Sequence, residues 1–102
     1  MKKRRKRYVR FHLHMAGPSI SGKQLSNAIR SSMLSIYGEV AVADSRFFLS
    51  EYDETSGHGI LQSSAGLLEK VITSAVLLAS VESTQVSFQP SKTSGTIRSL
   101  KR

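Results

Sequence analysis

The sequence predicts an α+β sandwich, with one four-stranded antiparallel sheet carrying two helices on one face. Three observations lead there. Residues 8–15 alternate apolar and polar, the period of a strand with one buried face. Two later stretches carry apolar residues at the 3.6-residue spacing of an amphipathic helix. Strand-like and helix-like segments then fall in the order β-α-β-β-α-β. With 102 residues, 39% of them apolar, the chain has enough material for one core and too little for two. The domain is expected over 8–90, between a basic arm at 1–7 and a basic tail at 91–102.

Val9, Phe11, Leu13 and Met15 share one parity of the first strand, and Tyr8, Arg10, His12 and His14 share the other. Ala16-Gly17-Pro18-Ser19 reads as a turn. Ser21 followed by Gln24 is a capping box, with Ile20 placed to staple onto Leu25. A helix over 21–37 follows, its stripe made of Leu25, Ala28, Ile29, Met33, Ile36 and Tyr37, with Asn27, Arg30 and Ser31 opposite. Gly38 stops it. Residues 39–43 read as a short apolar connection, partly extended.

Residues 46–52 are strand formers of ambiguous parity, Phe47 and Leu49 against Phe48 and Tyr52. A hairpin loop over 53–57 ends on Gly57, and a strand over 58–63 follows. Ser64 is positioned to cap the second helix, whose stripe is Leu68, Val71, Ile72, Ala75, Val76 and Ala79. Leu77 and Leu78 widen that arc toward a second subunit. The last strand alternates Val86 and Phe88 inward against Gln85, Ser87 and Gln89 outward. Pro90 is expected to end it as an edge strand. With right-handed crossovers this becomes a ferredoxin-like, RRM-like sandwich with the first and third strands central. Tyr8, Arg10, His12 and His14 would then lie on the face without helices.

The net charge is +8, and its distribution matters more than its size. Residues 1–10 hold Lys2, Lys3, Arg4, Arg5, Lys6, Arg7 and Arg10 with no acid. Residues 90–102 add Lys92, Arg98, Lys101 and Arg102, while all seven acids lie between. Cations clustered at both ends of a slightly acidic body point to a polyanion, because solubility alone needs no clustering. A disordered basic end or an import signal is the competing reading.

No cysteine is present, which excludes disulfides and thiolate zinc sites and fits a cytoplasmic chain. No apolar run approaches the ~18 residues of a membrane span. His12 and His14 share a strand face, and His58 on the third strand is the one residue placed to join them. Together they could chelate a metal or act as an acid/base pair; otherwise they are partly exposed imidazoles that hydrogen-bond or touch phosphate. No phosphate loop, nucleophile triad or carboxylate pair stands out, so neither a catalytic nor a metal residue is assigned. The third strand, His58-Gly59-Ile60-Leu61-Gln62, lacks the aromatics on which RNA-recognition motifs stack bases.

Six segments, in order, resemble the small RNA-recognition-like protein subunit of archaeal and eukaryotic ribonuclease P. They are Lys6-Arg7-Tyr8-Val9-Arg10-Phe11, Asn27-Ala28-Ile29-Arg30, Tyr37-Gly38-Glu39, Tyr52-Asp53-Glu54-Thr55, Gly59-Ile60-Leu61 and Ser94-Gly95-Thr96-Ile97-Arg98. The last is the most distinctive. One departure stands beside them, Gln62 and Ser63 in place of the basic residue and cysteine common in that family. The resemblance implies a non-catalytic subunit of a ribonucleoprotein endoribonuclease that removes the 5′ leader of precursor tRNA. It implies ribonuclease P RNA, a barrel-shaped protein subunit and other ribonuclease P proteins as partners, with two copies of this chain and two of the barrel subunit in a heterotetramer. Magnesium would be held by the RNA and no cofactor by this chain. RNA contacts are expected from the basic residues named above at both ends, with Ser94 and Thr96 of the carboxy-terminal segment. The alternatives are a structural RNA-binding protein of the same fold, such as a ribosomal one, a metal- or histidine-dependent nuclease and a protein-interaction module.

Overall fold

The structure is a computed structural model, and residues 5–100 are described. It is an α+β fold with an antiparallel sheet, as the sequence predicts. Among the described residues the strands are β1 (Lys6–Ala16), β2 (Phe48–Tyr52), β3 (His58–Ser64), β4 (Ser80–Val81) and β5 (Thr84–Ser94). Their order across the sheet is β2-β3-β1-β5-β4, which puts β1 and β3 in the interior. The helices are α1 (Gly22–Tyr37), α2 (Glu39–Ser45), α3 (Leu68–Val76) and α4 (Ile97–Leu100).

The expected four strands are therefore five. Glu82 takes a left-handed φ of 54° and turns the chain, so that Val81 meets Thr84 across a short hairpin. Val81 is buried in the core, and that burial is what recruits β4. Two helices were expected, and four α-helices are present among the described residues. Residues 39–45 form α2 instead of an extended connection, because Gly38 (φ 90°, ψ 175°) redirects the chain after α1. A new amphipathic turn then packs Ala41 and Val42 onto the core.

Pro90 does not end its strand. β5 runs on to Ser94, and the β1 register slips so that Phe11 faces Pro90 and Arg10 faces Lys92. Ser91 is the extra residue of this bulge, and its hydroxyl donates to the Arg10 carbonyl at 3.0 Å. A bulge tolerates proline, and among the described residues the other flank of β5 has a partner strand only at Thr84 and Gln85, well before Pro90. A second bulge accounts for the ambiguous parity of β2. Leu49 pairs with Leu61 and Glu51 with Ile60, so Ser50 is extra and both Leu49 and Tyr52 pack against the core.

Helix α1 starts as its sequence predicts. The Ser21 hydroxyl accepts from the Gln24 backbone N–H at 3.1 Å, and the Gln24 amide oxygen accepts from the Ser21 N–H at 2.8 Å. Replacing Ser21 with alanine should lower stability by about 1 kcal/mol, read as a shift in the urea midpoint without a change in slope. Ile36, expected on the stripe, is 45% exposed. Ser64 does not cap the second helix. It closes β3, its hydroxyl donates to the Asp44 carbonyl at 3.0 Å, and a 3₁₀ turn (Ala65–Leu67) precedes α3. The α3 stripe is also shorter than expected, because Val76 is exposed and Ala79 lies beyond the helix. Leu68, Val71 and Ala75 meet Leu25, Ile29 and Met33 of α1 in one core under Val9, Phe11 and Leu13. Phe11 stacks on Phe88 at 4.6 Å and lies 6.3 Å from Tyr52.

Candidate nucleic-acid interface

β1 and β5 run antiparallel, and this brings the two cationic ends of the chain together. Tyr8 sits opposite Ser94, and Arg10 sits opposite Lys92. Arg5, Lys6 and Arg7 lie at the start of β1, exposed, beside residues 63–65. The sequence separates these clusters by more than 80 residues, and the register joins them into one basic surface.

Successive rungs of the sheet face away from α1 and α3 can be read from that register. Phe48, Gln62, Tyr8 and Ser94 form one row. Glu51, Ile60, Arg10 and Lys92 form the next, and His58, His12 and Gln89 the third. Ile60 lies on the solvent parity yet is only 4% exposed. It lines the same cleft as Leu100 of α4, which is fully buried. Neither residue belongs to the main core cluster under α1 and α3.

Polar contacts hold α4 there. The Arg10 guanidinium donates to the Leu100 carbonyl at 2.8 Å, and the Lys92 ammonium to the Ser99 carbonyl at 3.3 Å. Cations on the last carbonyls of a helix satisfy acceptors the helix cannot, and they match its dipole. Thr96 caps the amino end, its hydroxyl accepting from the Ser99 N–H at 3.2 Å, while the Ser94 hydroxyl accepts from the Thr96 N–H at 3.2 Å. Ser94-Gly95-Thr96-Ile97-Arg98 is thus a strand-to-helix turn with its own cap. Ser94 and Thr96, expected as RNA contacts, hold backbone; Arg98 is exposed. Lys2, Lys3, Arg4, Lys101 and Arg102 lie outside the described residues.

The three histidines meet on this face. His12 stacks on His58 with centroids 4.2 Å apart and an interplanar angle of 14°, and His14 approaches His12 edge-on at 4.0 Å. Near-parallel rings aim their nitrogens side by side instead of at one point. Nε2 of His12 lies 2.9 Å from the Ser56 carbonyl and Nε2 of His14 lies 2.8 Å from the Gln89 amide oxygen. Among the described residues no group of three or more His, Cys, Asp or Glu is arranged to hold a metal ion.

Beside His58 opens a cleft of about 770 Å³, between the β2–β3 hairpin and α4. Its wall includes Asp53, whose carboxylate accepts from the N–H groups of Thr55 and Ser56 at 2.9 and 3.4 Å. Those backbone donors, Thr55 first, hold its pKa below the ordinary carboxylate value. A lowered folded-state pKa contributes stability above the unfolded-state pKa and loses it as pH falls through the folded one. Asp53→Ala should therefore flatten the acid limb of a plot of urea midpoint against pH, with no extra loss once wild-type Asp53 is itself protonated. Tyr52, next along the chain, is pushed above its usual pKa by burial and then by the carboxylates of Glu54 and Asp53.

Sequence reasoning missed Ile60 and Leu100 as a pair. A signal existed, since Ile60 and Leu61 are adjacent apolar residues in a strand and only one can face the main core. The profile of the Rpp14/Pop5 family matches residues 7–102, nearly the whole chain. The chain belongs to the Rpp14/Pop5 family. It is 28% identical over 98 residues to ribonuclease P protein component 2 of Pyrococcus furiosus, covering 96% of this chain and 81% of that protein. A chain of yeast ribonuclease MRP, solved by cryo-electron microscopy, shares the fold with a TM-score of 0.71 at 10% identity, covering 94% of this chain and 78% of that one. The carboxy-terminal segment 94–98 lies within the matched residues and forms the turn and cap that open α4. The family is one of ribonuclease P protein subunits, and the ribonucleoprotein endonuclease context follows for this chain.

Proposed function

We propose that this chain binds and stabilises the catalytic RNA of ribonuclease P and contributes no catalytic group to removal of the precursor-tRNA leader. The observation that carries the reading is the pairing of β1 with β5, which merges two cationic ends into one surface. Lys and Arg grouped in this way neutralise phosphates and release counterions, setting affinity and register more than sequence choice. Of the expected contacts, Arg5, Lys6, Arg7, Arg10, Lys92 and Arg98 are the exposed described cations, and Lys2, Lys3, Arg4, Lys101 and Arg102 continue the two clusters along the sequence. Arg10 and Lys92 have a double role, since each also holds α4. The sheet face away from α1 and α3, where Arg10 and Lys92 hold α4, meets RNA as an RNA-recognition-like sheet does.

Lowered phosphate repulsion lets the RNA fold with less divalent cation, so magnesium stays on the RNA and no cofactor is assigned to this chain. For the barrel-shaped partner subunit the exposed apolar residues Leu34, Ile36 and Val40 of the α1–α2 corner are a suitable surface. Two copies of each subunit would form a heterotetramer, with other ribonuclease P proteins joining in the cytoplasm. Reconstitution of ribonuclease P RNA and the barrel subunit, with and without this chain, tests the reading through the magnesium dependence of leader cleavage. The optimum should fall when the chain is added. An unchanged optimum and rate, or cleavage by the chain alone, would defeat the proposal.

A further inference from the structure

We infer that the cleft beside His58 receives one unpaired RNA nucleobase carrying an exocyclic amine, stacked on the outer face of the His58 ring. The inference rests on the RNA-binding reading above and adds a subsite that a purely electrostatic surface does not need. His12 covers one side of the His58 ring at 4.2 Å, and His58 itself lines the cleft. A planar ligand entering there would continue the His12–His58 stack outward. Ile60 and Leu100 lie behind the lining, 4% and 0% exposed, so the planar surface an entering base meets is the exposed His58 ring. Arg10 lines it as well and supplies a cation for the phosphate of the same nucleotide.

The rim selects the base. Asp53 and Ser56 line the opening. Asp53 Oδ1 already accepts from the Thr55 and Ser56 N–H groups and the Ser56 hydroxyl from the His58 N–H, so the second carboxylate oxygen of Asp53 is the acceptor for the exocyclic amine of adenine, guanine or cytosine. Uracil has no such amine. A volume of about 770 Å³ exceeds what one base requires, and it lies within the range of ordinary small-ligand clefts. An aromatic-lined cleft flanked by a cation is a stacking site for single strands, and sequence-tolerant stacking depends on the ring face. Histidine provides that face here, which is why the missing third-strand aromatics did not reveal it.

The test uses the full chain and three probes: a single-stranded adenosine octamer, a uridine octamer and free AMP. Affinities are read by fluorescence anisotropy across a salt series, with AMP as a competitor. His58→Ala should weaken adenosine-octamer binding about tenfold or more, with less effect on the uridine octamer and no change in the salt slope. His58→Phe, which keeps a ring face, should restore most of the loss. Salt-dependent binding of both octamers that ignores both substitutions overturns this inference and leaves the RNA-binding reading standing. Loss of all salt-dependent binding in the unaltered chain overturns that reading first. AMP binding as tight as the octamer would assign the cleft to a free nucleotide and overturn its assignment to an RNA strand.

Discussion

Gly57→Ala should cost about 3–5 kcal/mol, enough to leave much of the protein unfolded given that domains are stable by roughly 5–15 kcal/mol. Two separate penalties meet at this glycine. Its φ is +81°, a left-handed value that a Cβ makes unfavourable by about 1–3 kcal/mol. A Cβ there would also collide with the Leu13 carbonyl of β1. The same contact carries a backbone hydrogen bond, because the Leu13 N–H donates to the Gly57 carbonyl at 2.7 Å. Relief of the collision would therefore break that bond and pull the hairpin loop away from β1. Two other glycines separate the contributions. Gly38 has a φ of +90° and open space around its Cβ position, so Gly38→Ala should show the backbone penalty alone. Gly66 meets nothing within 4 Å and has no left-handed φ, so Gly66→Ala should be near neutral. Urea midpoints for the three variants should rank in that order. A Gly57→Ala protein as stable as Gly38→Ala would mean that the loop does not pack on β1 as described.

Much of this fold was legible because local signals and tertiary needs agree. The alternation of Val9, Phe11 and Leu13 and the capping box at Ser21 each state one structure, and each is present. Failures occurred where a tertiary contact overrode the local signal. Pro90 ends strands in general, but a bulge at Ser91 lets β5 continue and deliver Lys92 to Arg10. Ser64 looks like a cap, yet its backbone is needed on the β3 ladder opposite Lys6. Residues 39–45 are too few for a clear helical period, and only the redirection at Gly38 settles what they do. The open face followed the same rule. Its polar parity on β1 could be read from the sequence, and the adjacent Ile60 and Leu61 signalled a second buried site, but that Arg10 and Lys92 hold a four-residue α4 there could not, since those bonds depend on the bulged β1–β5 register.

The remaining large effect concerns salt. Changing Lys2, Lys3, Arg4, Arg5, Lys6 and Arg7 together to glutamine should flatten the dependence of RNA affinity on salt. Each neutralised phosphate contributes a slope of about −0.7 for single strands to −0.9 for duplex, so six contacts account for a slope of about −4 to −5. Across the fourfold change from 50 to 200 mM salt that is a difference of roughly 10²–10³ in affinity. Substitution is the right variant and deletion the wrong one. Lys6 and Arg7 are rungs of β1 opposite Ser64 and Ser63, and the Arg5 carbonyl accepts from the Ala65 N–H at 2.8 Å, so removing them would cut the sheet as well as the charge. Arg10 and Lys92 supply the contrast, because their side chains already bind the carbonyls that end α4. Arg10→Gln with Lys92→Gln should lower the slope by at most about 2 and also loosen α4, seen as faster hydrogen exchange at Ser99 and Leu100. The two variants together decide where the phosphates lie. If the glutamine arm keeps the wild-type slope while the Arg10–Lys92 pair loses it, the RNA lies across the sheet face and not along the amino-terminal cations.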